Sequence, residues 1–525
     1  MSSSDDHPIS RRAFVQSVAA LTAGAALGSH AASVEDGPLQ IKSGVAQLFV
    51  DDYLIAEQKS LKRTLRQPKK DNDGQAPVIA LDDEFGEYSA TLEANGTILY
   101  DPRLKKYVMF ALAFSPSMPG PDRVRLYRFT SNDAMSWIKG DDGTPQRITF
   151  DLKDAASGES ATNIDLFSCF YDAGDDRYPY KGWLHFANWG KDKEGIYLVR
   201  SQDGRTWERG PMLMRSGSRV IRQDGRSLNG PGDVTIFYHD ALQNRFLANL
   251  RFASSVTVGP ENRLRARAFL FLKRMDEPVD LSRVERVDLV PAAARERGDL
   301  PHDEYYSSTA WRYESLWLGG LKVWHGGGDY PYSAAGSAFL KLTVSRDGLH
   351  WSKVSFANDA GVPEVFLPNG PEGGANGRND GGYMTEFSQG PLRVGDELVY
   401  YYGSSSYGKN KPRNIRVSGG GIFRSHLRPD GFVSVDAGSL TTKLLSCAGE
   451  DLFINGVGPI RVEIVGVDGK TRASTTVRGN SLRHRVSFAG NSLRRIASGA
   501  RLDVTYWRLR FSVHQNGRLY SFTVR

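Results

Sequence analysis

Five segments of this 525-residue chain set a carboxylate inside an otherwise apolar, strand-like run: Glu87 with Glu93, Asp165, Asp233, Asp303-Glu304, and Glu386. Carboxylates are costly to bury unless paired or reactive, so acids recurring in such runs point to a shared site. Two carboxyl groups flanking a bond are the apparatus of glycoside hydrolysis. One, protonated, serves the leaving oxygen; the other acts as nucleophile or as base for water. Crowding of like charges raises the pKa of one member and supplies the neutral acid. Glu87, Asp165, Asp233 and Glu304 are therefore the candidate catalytic groups. Tyr88, Trp189, Tyr305 and Tyr383 offer flat apolar faces to a sugar, with Trp183, Tyr306 and Trp324 in the same aromatic set, and Arg251, His302 and Glu386 can bond its hydroxyls. A rim loop over 369–382, around Arg378 and Asp380, is expected beside them. No CxxC, HExxH, P-loop or dinucleotide fingerprint occurs, so neither a metal nor an organic cofactor is expected. Arg251, Arg265 and Arg267 leave transfer to phosphate as a further option, and a propeller that binds carbohydrate without cleaving it is the alternative from another class.

What must position these acids is a repeat. Ser131–Trp137, Ser201–Trp207 and Ser345–Trp351 all read S-x-D-[GA]-x-x-W, 70 and then 144 residues apart. A degenerate copy at Lys273-Arg274-Met275-Asp276 fills the gap, and Ser425 to Asp430-Gly431-Phe432 makes a fifth. The acid-bearing runs precede these turns at the same interval. Fixed-period self-similarity signals units that bury their apolar faces only against neighbours. Short strands cut by Gly, Asp, Asn and Pro make each unit a four-stranded blade, and five blades predict a closed β-propeller over 44–436. The Asp-Gly pair makes a tight turn, and the Trp is expected to insert between sheets. After 436 the repeat stops, and period-two alternation predicts a small β-sandwich over 437–525 that either completes the core, the favoured role, or binds glycan. The fold class is all-β.

The front end carries a different message. Ser10-Arg11-Arg12-Ala13-Phe14 leads an apolar run to Leu27 and a small-residue site at Ser29-His30-Ala31. Paired arginines before a short apolar run are the twin-arginine export address. Residues 1–31 are expected to be removed, leaving a periplasmic or extracellular protein without stable membrane insertion. Net charge is +7, but no basic block of five or six appears, which argues for a mixed solvated surface and against a nucleic-acid partner, while the modest positive field leaves an acidic polysaccharide open as a partner beside the carbohydrate substrate. Cys169 and Cys447 make no disulfide framework.

Leu48-Phe49-Val50-Asp51-Asp52-Tyr53-Leu54-Ile55, the S-x-D-G-x-x-W turns, Leu427-Arg428-Pro429-Asp430-Gly431-Phe432-Val433-Ser434-Val435 and Leu519-Tyr520-Ser521-Phe522 together carry a resemblance. They resemble exported bacterial proteins related to the five-bladed propeller glycosidases of invertase, levanase and arabinanase type. The resemblance implies that Glu87, Asp165, and Asp233 or Glu304 share the roles of nucleophile or base, transition-state stabiliser and acid.

Overall fold

The computed structural model describes residues 37–525 apart from 82–90, 94–97, 115–121, 145, 151–162, 188–191, 218, 222–226, 231, 258–262, 292–302, 326–335, 371, 373–379, 409–419, 490, 492, 494–495, 497–505 and 515. The export segment, Glu87, Tyr88, Trp189, His302 and Arg378 lie outside the described residues.

Five sheets follow one another along the chain. Blade I is built on Lys106–Phe114 and Val124–Ser131, blade II on Asn163–Tyr171 to Thr206–Arg215, and blade III on Ile236–Asp240 to Arg263–Leu272. Blade IV runs from Asp303–Tyr313 to Trp351–Lys353, and blade V from Met384–Phe387 to Gly420–Leu427. Their apolar residues fall into five clusters, each shared by two successive blades. Phe110 meets Phe167 and Trp207; Trp183 meets Phe237 and Leu250; Phe269 meets Trp317 and Trp351. Trp311 meets Met384 and Tyr400, and Tyr401 and Ile422 of blade V return to Met109 and Phe129 of blade I. The fifth seam closes the ring, so the molecule is a five-bladed propeller.

The heptapeptide works locally, then across the seam. The fourth residue takes a positive φ, 57° at Ala134, 72° at Gly204 and 85° at Gly348. The aspartate Oδ1 then accepts from the two N–H groups that follow: Met135 and Ser136 onto Asp133, Arg205 and Thr206 onto Asp203, Leu349 and His350 onto Asp347. This turn points each Trp back at the preceding blade. Trp137 packs edge-on against Tyr401 at 5.5 Å, Trp207 against Phe110 at 5.8 Å, and Trp351 stacks on Phe269 at 4.9 Å. Blade V uses Phe432 for this, at 4.9 Å from Tyr313. Blade III lacks the Trp, and its seam is filled from the other side. Trp183 stacks on Phe237 at 4.9 Å and donates to the Met275 carbonyl at 3.2 Å. That contact corrects the expectation of Trp183 as a sugar platform: at 2% exposure it belongs to the core.

Blade V is completed from the far end of the chain. Lys69–Lys70 and Ile79–Ala80 both pair with Gly420–Leu427. The C-terminal β-sandwich also recruits the front of the chain. One layer holds Thr471–Val477, Ile460–Val465, Tyr506–Val513, Val433–Thr442 and Ile55–Leu65; the other holds Asn480–Val486, Leu452–Val457, Arg518–Val524 and Gln47–Leu48. Val433–Thr442 bridges the layers, pairing Val435 with Leu519 and Leu440 with Phe511. Hydrogen bonding thus divides the chain differently from the expected boundaries at 44 and 437, because strands within 39–65 join the C-terminal sheet. Alternation explains the Leu48–Val50 segment: Leu48 and Val50 enter the cluster shared by blades IV and V, while Phe49 enters the sandwich between Phe511 and Phe522. Asp430, at φ 59°, pins the junction by accepting from Tyr313 Oη at 2.8 Å, Asn455 Nδ2 at 3.2 Å and Ser521 Oγ at 2.5 Å.

Candidate active site

The inner strands of blades II, III and IV meet through a small apolar knot of Leu166, Val234, Ile236 and Tyr306. Each acid of the site flanks this knot. Asp165 stands opposite His185 and just before a bulge at which Leu166 takes a φ of 34°. Its Oδ1 accepts from the Leu166 N–H at 2.8 Å. Asp233 precedes Val234 and accepts from that N–H at 3.0 Å and from Arg251 Nη2 at 2.7 Å. A Cβ at position 232 would fall 1.6 Å from Arg251 Nη2, so the pair exists because residue 232 is glycine. Burial pushes the Asp233 carboxyl up, but the charges of Arg251 and Arg265 and the Arg251 hydrogen bond outweigh it and hold it below the usual carboxylate value. The side chain keeps 39% of its surface, so solvent screens part of that attraction. His185 is 1% exposed, with Nε2 2.7 Å from Ser216 Oγ. Burial lowers its pKa against the pull of Asp233, which favours the neutral imidazole.

Glu304 opens blade IV and accepts from Arg265 Nη1 at 2.5 Å. The Arg265 guanidinium lies 4.4 Å from the Tyr306 ring and 5.7 Å from the Trp324 ring. Tyr306 meets Trp324 at 5.6 Å and Tyr383 at 6.4 Å. Lys322 Nζ donates to Tyr383 Oη at 2.7 Å and sits over both tyrosine rings, at 4.1 and 4.7 Å. Asp165, Asp233, Arg251, Arg265, Glu304 and Tyr383 are therefore linked through one cluster drawn from four blades.

No family model and no curated protein matches the sequence. Among solved structures the chain is similar to a glycoside hydrolase family 43 arabinoxylan arabinofuranohydrolase from Bacillus subtilis, at 12% identity over 86% of this chain and 99% of that one, with a TM-score of 0.38. It is similar to a fructofuranosidase from Schwanniomyces occidentalis at 8% identity, 87% and 99% coverage and a TM-score of 0.39. It is also similar to an N-acetylgalactosamine deacetylase from F. plautii at 13% identity, 70% and 94% coverage and a TM-score of 0.39. The likeness is one of fold. At these scores it carries no argument, and the propeller rests on the five seams.

Four expectations are corrected. Tyr305 does not face the site: the bulge between Tyr305 and Ser307 turns it into the seam of blades III and IV at 1% exposure and presents Tyr306 instead. Tyr383 is in the cluster but only 3% exposed, so it seats Lys322 and offers no open face. Arg267 does not contribute to an anion pocket. It is fully buried, with Nη1 donating to the Val234 carbonyl at 2.7 Å and Nε and Nη2 to Asn249 Oδ1 at 2.9 and 2.8 Å, which fixes the backbone beneath the knot. Asp380 is buried too, tied to Lys70 and to Tyr402 Oη, and braces the closure of blade V. The strand carrying Glu386 is described, its side chain is not. His185 and Lys322 went unnoticed in the sequence, although each is a polar interruption of an apolar run, Gly182–Ala187 and Leu316–Trp324. Among the described residues no group of three or more His, Cys, Asp or Glu could hold a metal ion, and no helix is long and apolar enough to cross a membrane.

Proposed function

We propose that the protein acts on glycosidic bonds of a poly- or oligosaccharide bound where blades II to IV meet. The observation that supports this reading is that the strands carrying Asp165, Asp233 and Glu304, from three successive blades, meet at the knot of Leu166, Val234, Ile236 and Tyr306, with Arg265 joining Glu304 to the Tyr306 ring. Asp233, held ionised by Arg251, suits the nucleophile or the base for water. Glu304 is the acid. Its side chain is only 15% exposed and is held by Arg265, whose guanidinium lies 4.4 Å from the Tyr306 ring, so a sugar settling on that ring would displace the arginine and free the carboxyl for the leaving oxygen. Asp165, beside neutral His185, stabilises positive charge developing on the sugar. Release of reducing ends across a polysaccharide panel is the test. Glu304→Gln should lower turnover by roughly 10²–10⁴-fold, the range for losing a general acid, and Asp233→Asn should abolish it. Full turnover in both variants would refute the assignment.

One observation favours a second reading: Asp233 and Glu304 are both engaged by arginine in this state. A carbohydrate-binding propeller without catalysis accounts for that, and it predicts retention on glycan arrays with no reducing ends released. We further propose export by the twin-arginine route to the periplasm or beyond, supported by Ser10-Arg11-Arg12 and the apolar run after it. Replacing Arg11 and Arg12 by Lys should leave the protein inside the cell.

A further inference from the structure

The chain's positive charge is not shared between its two parts. Residues 437–525 hold fourteen Lys and Arg against five Asp and Glu, nine positive charges in excess. The whole chain is only +7, so everything before residue 437 is two charges negative. Twelve of the fourteen are arginine. The sandwich is thus a strongly basic body attached to a slightly acidic propeller.

Register places part of this charge on one open face. The sandwich layer of Thr471–Val477, Ile460–Val465, Tyr506–Val513, Val433–Thr442 and Ile55–Leu65 turns Ile460, Val462, Leu509, Phe511 and Leu440 inward. Its opposite face is read straight across the pairings: Thr476, Arg461, Ser512, Ser439 and Lys59 form one row, and Ser474, Glu463, Arg510, Thr441 and Glu57 the next. Glu463, at 11% side-chain exposure, gathers Arg461 at 3.2 Å and Arg510 at 3.8 Å, whose side chains remain 49% and 32% exposed. Arg510 Nε also donates to Thr441 Oγ1 at 3.2 Å. Two guanidinium groups are thereby held on a flat, hydroxyl-rich sheet.

We infer that this face binds a linear acidic polysaccharide through its carboxylate or sulfate groups. Arginine meets such groups with paired hydrogen bonds, and the Ser and Thr hydroxyls suit the sugar hydroxyls between them. Strands stand about 4.8 Å apart, comparable to one pyranose, so a glycan laid across them meets a new strand with each sugar. A bilayer is a poor fit, because the exposed large hydrophobics of this module among the described residues are Tyr53, Val467 and Tyr506, and none of them falls in the two rows. Single-stranded nucleic acid is a poor fit because the two rows contain no ring on which a base could stack.

The test is elution of the full-length protein by rising NaCl from immobilised polygalacturonate, which carries carboxylates alone, and dextran sulfate, which carries sulfates alone, with neutral dextran as reference. The expected result is salt-reversible retention on at least one charged matrix and none on dextran. Arg461→Ser with Arg510→Ser should weaken binding roughly tenfold. Since that pair strands Glu463, Lys59→Gln, in the row of Arg461, with Arg478→Gln, just past the end of the Thr471–Val477 strand, both exposed and outside that network, should also weaken it by several-fold. Asp233→Asn should leave retention unchanged, which separates this inference from the proposal for the propeller. Absence of retention on both charged matrices, wild-type retention in both double variants, or displacement by duplex DNA at lower concentration than by free polygalacturonate would each overturn it.

Discussion

Gly232→Ala tests the electrostatics of the site with one methyl group. The new Cβ would lie 1.6, 2.1 and 2.5 Å from Nη2, Cζ and Nε of Arg251, and those side-chain atoms are its three nearest neighbours. A flexible guanidinium can yield, so the protein should fold, but Arg251 must leave Asp233. A hydrogen bond between charged groups contributes about 1.5–3 kcal/mol, and the 39% exposure of the Asp233 side chain discounts that to about 1 kcal/mol. The same loss moves the Asp233 pKa upward, because the largest charge holding it down is removed. Asp233 titrates below its ordinary value when folded. The pair's contribution is therefore present above the unfolded carboxylate pKa near ~3.9 and is lost as pH falls through the folded value. Denaturant unfolding should show wild type ahead of the variant by about 1 kcal/mol at neutral pH, with the gap closing toward pH ~3. Arg251→Met should give the same gap, and Gly232→Ala added to Arg251→Met should cost no more than about 0.5 kcal/mol. A full additional cost in that background, or a gap unchanged in acid, refutes the argument that residue 232 is glycine for the sake of this arginine.

Other consequences are open to simpler measurements. Trp207→Ala, which empties the seam of blades I and II, should cost about 3–5 kcal/mol in urea unfolding, and Trp137→Ala less, because Trp137 is only half-buried. Asp430→Ala removes three hydrogen bonds at the junction and should cost about 2–3 kcal/mol; limited proteolysis should then release the sandwich faster than in Asp430→Asn. Asp347 is held down to about 2, its backbone hydrogen bonds from His350 and Leu349 outweighing partial burial. Its stabilisation is complete above pH ~4 and fades as pH falls toward 2, so Asp347→Asn should flatten that limb of the acid-unfolding curve.

The blades were legible because their signal is local. Ser201, Asp203, Gly204 and Trp207 make their turn within seven residues, and the residue types alone state the geometry. The site was legible only by region. Asp233 and Glu304 could be chosen as polar residues in apolar strands, but their partners lie 18 and 39 residues away on neighbouring strands. Of the adjacent candidates Tyr305 and Tyr306, the sequence does not say which faces the site, because a bulge between Tyr305 and Ser307 shifts the period and gives the place to Tyr306. Ring closure was not legible. Lys69–Lys70 and Ile79–Ala80 are two-residue strands with no periodicity to read, and their partner strand ends near residue 427. The sandwich charge was hidden for another reason: interspersed arginines form no block in sequence, yet pairing brings Arg461 and Arg510 onto one face.

The stitching of both ends of the chain has a temporal cost. Thr64 bonds to Asp436, 372 residues further on. At about 5–20 residues per second, a ribosome holds the strand around Thr64 unmatched for roughly 20–75 s, and the blade that locks the ring waits almost as long. Four finished blades would meanwhile present two raw flanks, those of blades I and IV, to the cell. A message truncated before the last hundred codons would leave an open ring with both lips sticky.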